Sequence, residues 1–170
     1  RTSGCGGIVK SAAAPAFEDI YSARAATPYY AFPTTWIAPA DTNYQRRSEA
    51  SAVTLKQGNV LVAWCDLVGR GDNAKGHISA VELGPDGAPR GAQRILVPTP
   101  PDGLNALSPA LRRLSNGEIG LAFSYRMSTK AASRRFMRSR DEGRTWSETV
   151  LVSDGSANVN LVGKVGLKGG

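Results

Sequence analysis

Histidine is almost missing from this chain: His77 is the one imidazole in 170 residues. That excludes a zinc site built from several histidines, and no histidine-based triad is expected. Cysteine is nearly as scarce. Cys5 and Cys65 allow one disulfide at most, and Cys65 sits at the edge of the apolar run Val60–Trp64, where a buried free thiol is an equal alternative. No apolar run approaches the ~20 residues of a membrane helix, so no membrane span is expected. No Asn-x-Ser/Thr sequon is present, and the stretch Val162–Val165 lacks the spacing and the Ser/Thr of a phosphate loop. The chain opens on Arg1 with no methionine and no basic-then-apolar leader, which reads as a processed product or a fragment. No metal and no cofactor is expected.

What is present describes an ordinary globular chain, with 41% hydrophobic and 21% charged residues. Nineteen glycines and ten prolines, without a long helical periodicity, predict many short strands joined by turns. The net charge of +7 suits anionic partners without choosing among acidic glycans, sialosides and nucleic acid.

An internal repeat carries the fold prediction. Leu55, Gly58, Ala63 and Trp64 match Leu114, Gly117, Ala122 and Phe123 at a constant offset of 59. Each copy reads as strand, polar-Gly turn, strand, with Gln57-Gly58 and Asn116-Gly117 as hairpin signals. The second strands, Val60–Trp64 and Ile119–Phe123, are nearly all apolar, as expected where both sheet faces are covered. Third strands follow at His77–Leu83 and Arg135–Ser139, and fourth strands at Arg94–Val97 and Thr149–Val152. Four antiparallel strands repeating every ~60 residues predict the blades of a β-propeller.

Between the third and fourth strands of the second copy lies Ser139–Trp146, which reads S-x-D-x-G-x-T-W. Asp141 can accept bonds from turn N–H groups, Gly143 permits a positive φ, and Trp146 supplies an apolar plate. Ser139, Asp141, Gly143, Thr145 and Trp146 together form an Asp box, and Gly84–Gly87 in the first copy looks like an eroded one. On these residues the chain resembles the sialidase superfamily of Asp-box propellers. The resemblance implies an all-β propeller with about two four-stranded antiparallel blades present: 45–98 with a degenerate box and 99–156 with an intact one. Residues 1–44 are then a leader or an incomplete blade, and 157–170 a tail. Two blades cannot close a ring, so either further blades are missing or copies self-associate. In the family the box lies on the outer rim, away from the chemistry.

The resemblance also implies an activity: release of terminal sialic acid from glycoconjugates by a retaining mechanism. The family uses an arginine cluster for the substrate carboxylate, an aspartate acid/base and a tyrosine nucleophile. Counting from Gly58 places the first arginine near Arg47 and the acid/base at Asp72, with Asp66 as a nearer alternative. The family's Arg-Ile-Pro motif is absent, and a surface cation and a turn aspartate explain Arg47 and Asp72 equally well. Glu49, at the start of the innermost strand, is either a ligand contact, a general base or a solvated strand end. Arg126, ending the strand Ile119–Tyr125, is a further candidate for the carboxylate clamp. Ser108 stands where some sialidases carry an aspartate before the proline.

The nucleophilic tyrosine and later arginines belong to late blades in the family. Tyr29, Tyr30, Tyr44 and Tyr125 occupy other places, so the chain alone should not turn over a sialoside. The alternative is a non-catalytic propeller that binds glycans or proteins. Partners implied are sialylated or other anionic glycans, in an extracellular or periplasmic setting. The arginines at 134, 135, 138, 140 and 144, interleaved with Phe136 and Trp146, resemble a nucleic-acid patch in composition. Alternation on one face of a solvated outer strand explains them, and no nucleic acid is expected.

Overall fold

A computed structural model of the chain describes residues 36–154, of which those from Ala40 onward belong to one compact unit. Cys5, most of the 1–44 leader and the 157–170 tail lie outside the described residues. The described part is all β, with no helix. Eight strands follow in order: β1 (Arg46–Thr54), β2 (Val60–Leu67), β3 (Gly76–Leu83), β4 (Arg94–Val97), β5 (Asn105–Arg113), β6 (Ile119–Arg126), β7 (Ala132–Ser139) and β8 (Val150–Ser153).

Strands β1 to β4 pair antiparallel in sequence order, and so do β5 to β8. The two four-stranded units touch in the ladder only where Gly76 of β3 meets Asn105 of β5 in parallel, and the sheet does not close on itself. The hairpin glycines behave as the repeat predicts. Gly58 and Gly117 take φ of +88° and +83°, and each N–H closes its turn on the leucine three residues earlier at 2.9 Å. Strand β2 runs on to Leu67 and β6 to Arg126, past the apolar cores that the sequence marks.

A second repeated feature carries no glycine. Glu49 and Ser108 take φ of 57° and 53°, and each sits at a break in register, between Ser48 and Ser51 in β1 and between Leu107 and Ala110 in β5. These are β-bulges at equivalent positions of the two innermost strands. They face each other: Ser108 donates its N–H and its Oγ–H to Glu49 Oε2, both at 2.8 Å. Farther along, Leu111 N–H donates to Ser51 Oγ at 2.9 Å and Arg113 Nη2 to the Thr54 carbonyl at 2.9 Å.

Period-two alternation builds the core. Leu61, Ala63, Cys65 and Leu67 of β2, with Ile78 and Ala80 of β3, pack against Ile119, Leu121 and Phe123 of β6 and Met137 of β7. One cluster therefore lies between the two units. Burying its larger side chains stabilises the fold by roughly 1.5–3 kcal/mol each. Alternate residues point outward from the pair. On the first unit these are Val62, Trp64 and Asp66, all buried, and on the second Gly120, Ala122, Ser124 and Arg126.

The Asp box closes as its residue types require. Ser139 Oγ accepts the Gly143 N–H at 2.8 Å, and Asp141 Oδ1 accepts the Thr145 N–H at 2.8 Å. Thr145 Oγ1 donates to Asp141 Oδ2 at 2.6 Å, Trp146 Nε1 donates to the Gly143 carbonyl at 3.1 Å, and Gly143 takes φ of +83°. The box also clamps the units together. Glu142 accepts both Arg113 Nη groups, at 2.7 and 2.6 Å, and the backbone N–H of Lys56 at 2.9 Å, while Arg94 donates to the Gly143 and Arg144 carbonyls. The eroded box at Gly84–Gly87 keeps only a turn, with Gly87 at φ of +77° and Asp86 Oδ1 accepting the Ala88 N–H at 3.1 Å.

Strand β7 is not the outer strand that the arginine alternation suggests, because β8 pairs outside it. Arg134, Arg135 and Phe136 are half-buried; Arg138 and Arg140 pair with Glu118, and the Arg135 guanidinium lies 5.4 Å from the Tyr125 ring. These contacts, rather than free solvation, hold much of the cluster.

Candidate functional site

The strands' other end, opposite the Asp box, gathers the starts of β1 and β5, the ends of β2 and β6, and the loop 68–75. Asn105 fixes that loop. Its Nδ2 donates to the carbonyls of Asp72 at 2.8 Å and Ala74 at 2.7 Å, which folds the loop toward β5. A side chain on Gly76 would meet the Asp66 carbonyl oxygen at 2.4 Å, so the turn into β3 requires glycine there.

Arg46 is the centre of this rim. Its Nη1 pairs with Asp72 Oδ1 and donates to the Arg70 carbonyl at 3.3 Å. Its Nη2 pairs with Glu49 Oε1 at 3.2 Å, and its Nε donates to Ser48 Oγ at 3.0 Å. Arg126 reaches the same loop from the second unit, donating Nη1 to Asn73 Oδ1 at 2.9 Å. The structure thus brings together three of the predicted residues, Glu49, Asp72 and Arg126, around an arginine that motif counting passed over. The hydrogen bond from Arg46 holds the Asp72 carboxyl below the ordinary aspartate range, and the Arg46 and Arg126 charges add to it. Asp72 keeps 57% of its side chain exposed and so faces solvent.

Arg47 does not meet Asp72, which corrects the predicted pair. Successive strand residues point to opposite faces, and Arg47 opposes Asp66 whereas Arg46 opposes Leu67. Arg47 spends its guanidinium inside the first unit: Nη2 pairs with Asp41 Oδ2 at 2.8 Å, Nε lies 3.4 Å from Asp66 Oδ1, and the group sits 5.2 Å from the Tyr44 ring. Asp66 is fully buried. Trp64 Nε1 donates to its Oδ1 at 2.8 Å; Ser79 Oγ at 2.5 Å and Gln93 Nε2 at 2.8 Å donate to its Oδ2. Burial alone would raise its pKa, but His77, Ser79, Trp64 and Arg47 together carry it downward. It anchors Arg47 and cannot serve an external ligand.

Glu49 is not a solvated strand end. Oε2 holds the Ser108 bulge and receives the Cys65 thiol at 3.7 Å, while Oε1 pairs with Arg46. Cys65 is a buried free thiol whose pKa burial and the Glu49 charge push upward. Tyr125 is half-buried against Phe123, with burial raising its pKa, which places it away from a nucleophile's role. Among the described residues no group of three or more His, Cys, Asp or Glu could hold a metal, and no helix could cross a membrane.

These observations define a class first: an all-β arrangement of two four-stranded antiparallel units with a polar rim opposite an Asp box. Solved structures then place the fold beside a sialidase. The Hadza microbial sialidase Hz136 is similar with a TM-score of 0.55 and 18% identity, covering 65% of this chain and 26% of that one. A protein of unknown function from Dyadobacter fermentans DSM 18053 is similar with a TM-score of 0.54 and 14% identity, covering 65% of this chain and 37% of that one. The chain therefore spans well under half the length of either protein. No protein-family model matches the chain, and no curated protein matches it.

Proposed function

We propose that the chain is the early-blade part of a sialidase-like glycoside hydrolase, acting on terminal sialic acid of glycoconjugates, with Asp72 as the acid/base. The observation that carries this reading is the Arg46–Asp72 pair at the rim, flanked by Glu49 and Arg126 from two adjacent blades. In this reading Arg46 takes the carboxylate-binding part that the motif count assigned to Arg47. Asp72 meets the Arg46 guanidinium through Nη1 alone, whereas a substrate carboxylate can form a bidentate contact with such a fork. When it does, Asp72 loses the partner that depresses its pKa, and the carboxyl rises toward the range a general acid needs. Glu49 holds the arginine fork in place during this exchange. The tyrosine nucleophile and the remaining arginines would come from further blades, and the setting would be extracellular or periplasmic.

One observation favours a second reading, a propeller that binds anionic glycans without cleaving them. Every nitrogen of the Arg46 guanidinium already has a partner within the chain. Saturation-transfer NMR with sialyllactose, beside a fluorogenic sialoside assay, tests both. The hydrolytic reading expects binding that Arg46→Gln abolishes, and any turnover to vanish in Asp72→Asn. Binding without turnover in a chain extended by its later blades selects the second reading. No sialoside binding, or binding indifferent to Arg46→Gln, sinks the assignment of this rim to sialosides.

A further inference from the structure

Between the first unit and the Asp box lies a groove of about 220 Å³, lined by Leu61 and Val81 and walled by charged side chains. Its origin is a break in the pairing of β3 with the chain that leads into β4. The Arg90 N–H donates to the Glu82 carbonyl at 2.8 Å, and Arg94 rejoins the ladder opposite Ala80. One residue of β3, Val81, therefore stands against three, Gly91 to Gln93, and those three are exposed. Leu61 and Val81 themselves are nearly buried and give the groove its apolar lining.

Five charged side chains border the groove, and two of them are already matched. Arg90 pairs with Asp86 at 2.7 Å, and Glu142 pairs with Arg113 at 2.6 Å. The other three have no partner of opposite charge among the described residues. Arg94 donates to the Gly143 and Arg144 carbonyls. The Arg144 guanidinium makes no hydrogen bond or ion pair with any described residue. Glu82 accepts only from amides, Asn59 Nδ2 and, at 3.4 Å, Gln57 Nε2. Glu82 follows Ala80 by two residues and so shares a face with Arg94, as a diagonal neighbour about 7–8 Å away. The two side chains nonetheless bond elsewhere.

A carboxylate and two guanidiniums, each lacking an opposite charge, disfavour a ligand that carries only one sign. They suit a dipolar ligand, whose ammonium faces Glu82 and whose carboxylate takes the arginine donors. A volume below the ~300 Å³ of drug-sized sites keeps that ligand small.

We propose that this groove binds a small dipolar ligand, an ammonium and a carboxylate on an apolar body, of the size of a free amino acid or a dipeptide. Leu61 and Val81 contact the apolar body, Glu82 holds the ammonium, and Arg94 and Arg144 hold the carboxylate. The site lies at the opposite end of the strands from the Arg46–Asp72 pair and does not rest on the sialoside reading.

Titration of the intact, isotope-labelled chain with L-leucine and with glycyl-L-leucine, followed by amide chemical shifts, tests the site. Shifts at Gly91, Ala92 and Arg144 that saturate below about 10 mM are expected for at least one ligand, and the tighter of the two gives the size. N-acetyl-L-leucine lacks the ammonium and L-leucinamide lacks the carboxylate, so each should bind severalfold more weakly than leucine. Arg144→Gln should weaken leucine severalfold and leave leucinamide unchanged. Glu82→Gln should weaken leucine likewise and leave N-acetylleucine unchanged. A general loosening of the fold would not produce that selectivity. No saturation by about 10 mM of either ligand, shifts confined to the rim around Arg46, or affinities indifferent to both substitutions overturn the proposal. Loss of sialyllactose binding alone, with leucine or the dipeptide still bound, would remove the sialoside reading and leave this groove standing.

Discussion

The two ends of the same strands solve opposite problems. At the Asp-box end Ser139, Asp141, Gly143 and Thr145 bond to one another within the turn, and Glu142 and Arg94 then bind the turn across to the neighbouring unit. At the rim, the backbone bends through two positive-φ bulges without glycine, and Arg46 alone holds two carboxylates, that of Glu49 three residues on and that of Asp72 in the loop 68–75. Glu142 within the box takes φ of 61° as well, so strain of this kind occurs at both ends and persists only where the surroundings over-determine it. The contrast teaches where to look for each property. Stability should be most sensitive at the box, and sialoside binding at the rim.

The largest expected effect separates the intact box from its eroded counterpart. Both Gly143 and Gly87 have positive φ, but a Cβ on Gly143 would lie 2.7 Å from Leu61 Cδ2, whereas one on Gly87 would meet nothing within 4 Å. Gly143→Val should cost about 3 kcal/mol or more, combining backbone strain with overpacking against the core. Gly87→Val should cost about 1–2 kcal/mol, from strain alone. Urea denaturation of the two variants makes the comparison, and equal losses would mean that the box is not wedged against the first unit.

Acid should unlock the same end. Hydrogen bonds from Thr145 bring Asp141 down to about 2, and Arg113 brings Glu142 down to about 2, from ordinary values near 4. Both groups bind protons more weakly folded than unfolded. Their contribution is therefore complete above the unfolded values and is lost as pH falls from about 4 toward 2. Melting temperature followed from pH 6 to pH 2 should drop over that window, and Glu142→Gln should flatten the drop. A variant curve parallel to the wild type would detach Glu142 from the acid response.

Much of this architecture was legible because its signals are local. Gly58, Gly117 and the box residues declare their turns through backbone freedom and side-chain acceptors, and the apolar strands between them declare theirs by pattern. The rim was harder for two physical reasons. The bulge at Glu49 has no glycine to announce it, and Ser108 precedes Pro109, a context that ordinarily favours extended backbone. The choice between Arg46 and Arg47 depended on strand parity and on where Asn105 pulls the loop, a contact spanning 33 residues for the Asp72 carbonyl.

Glu49 tests how firmly the bulges are held. Glu49→Ala would leave the Ser108 N–H without its acceptor and Arg46 without one of its carboxylates, at a cost of about 1–3 kcal/mol. Ser108→Gly should change stability by less than about 1 kcal/mol, because the relief of a positive φ offsets the lost hydroxyl bond. Chemical denaturation of both variants reads the difference. A larger loss in Ser108→Gly than in Glu49→Ala would show that the serine, and not the carboxylate, holds the two inner strands in register.

The smallest expected effect on stability belongs to the residue with the largest proposed role. Asp72 is more than half exposed and its partner Arg46 has three other contacts, so Asp72→Asn should shift stability by less than about 1 kcal/mol. The Asp72 carboxyl is held below its ordinary range, so the contribution of this pair is present at neutral pH and fades as acid protonates it. A thermal melt at pH 7 checks the substitution. A small shift would fit a rim kept for binding, in contrast to the box at the other end. A loss approaching that of Gly143→Val would make Asp72 a structural tie of the loop, and the two ends of the strands would then differ in sequence but not in purpose.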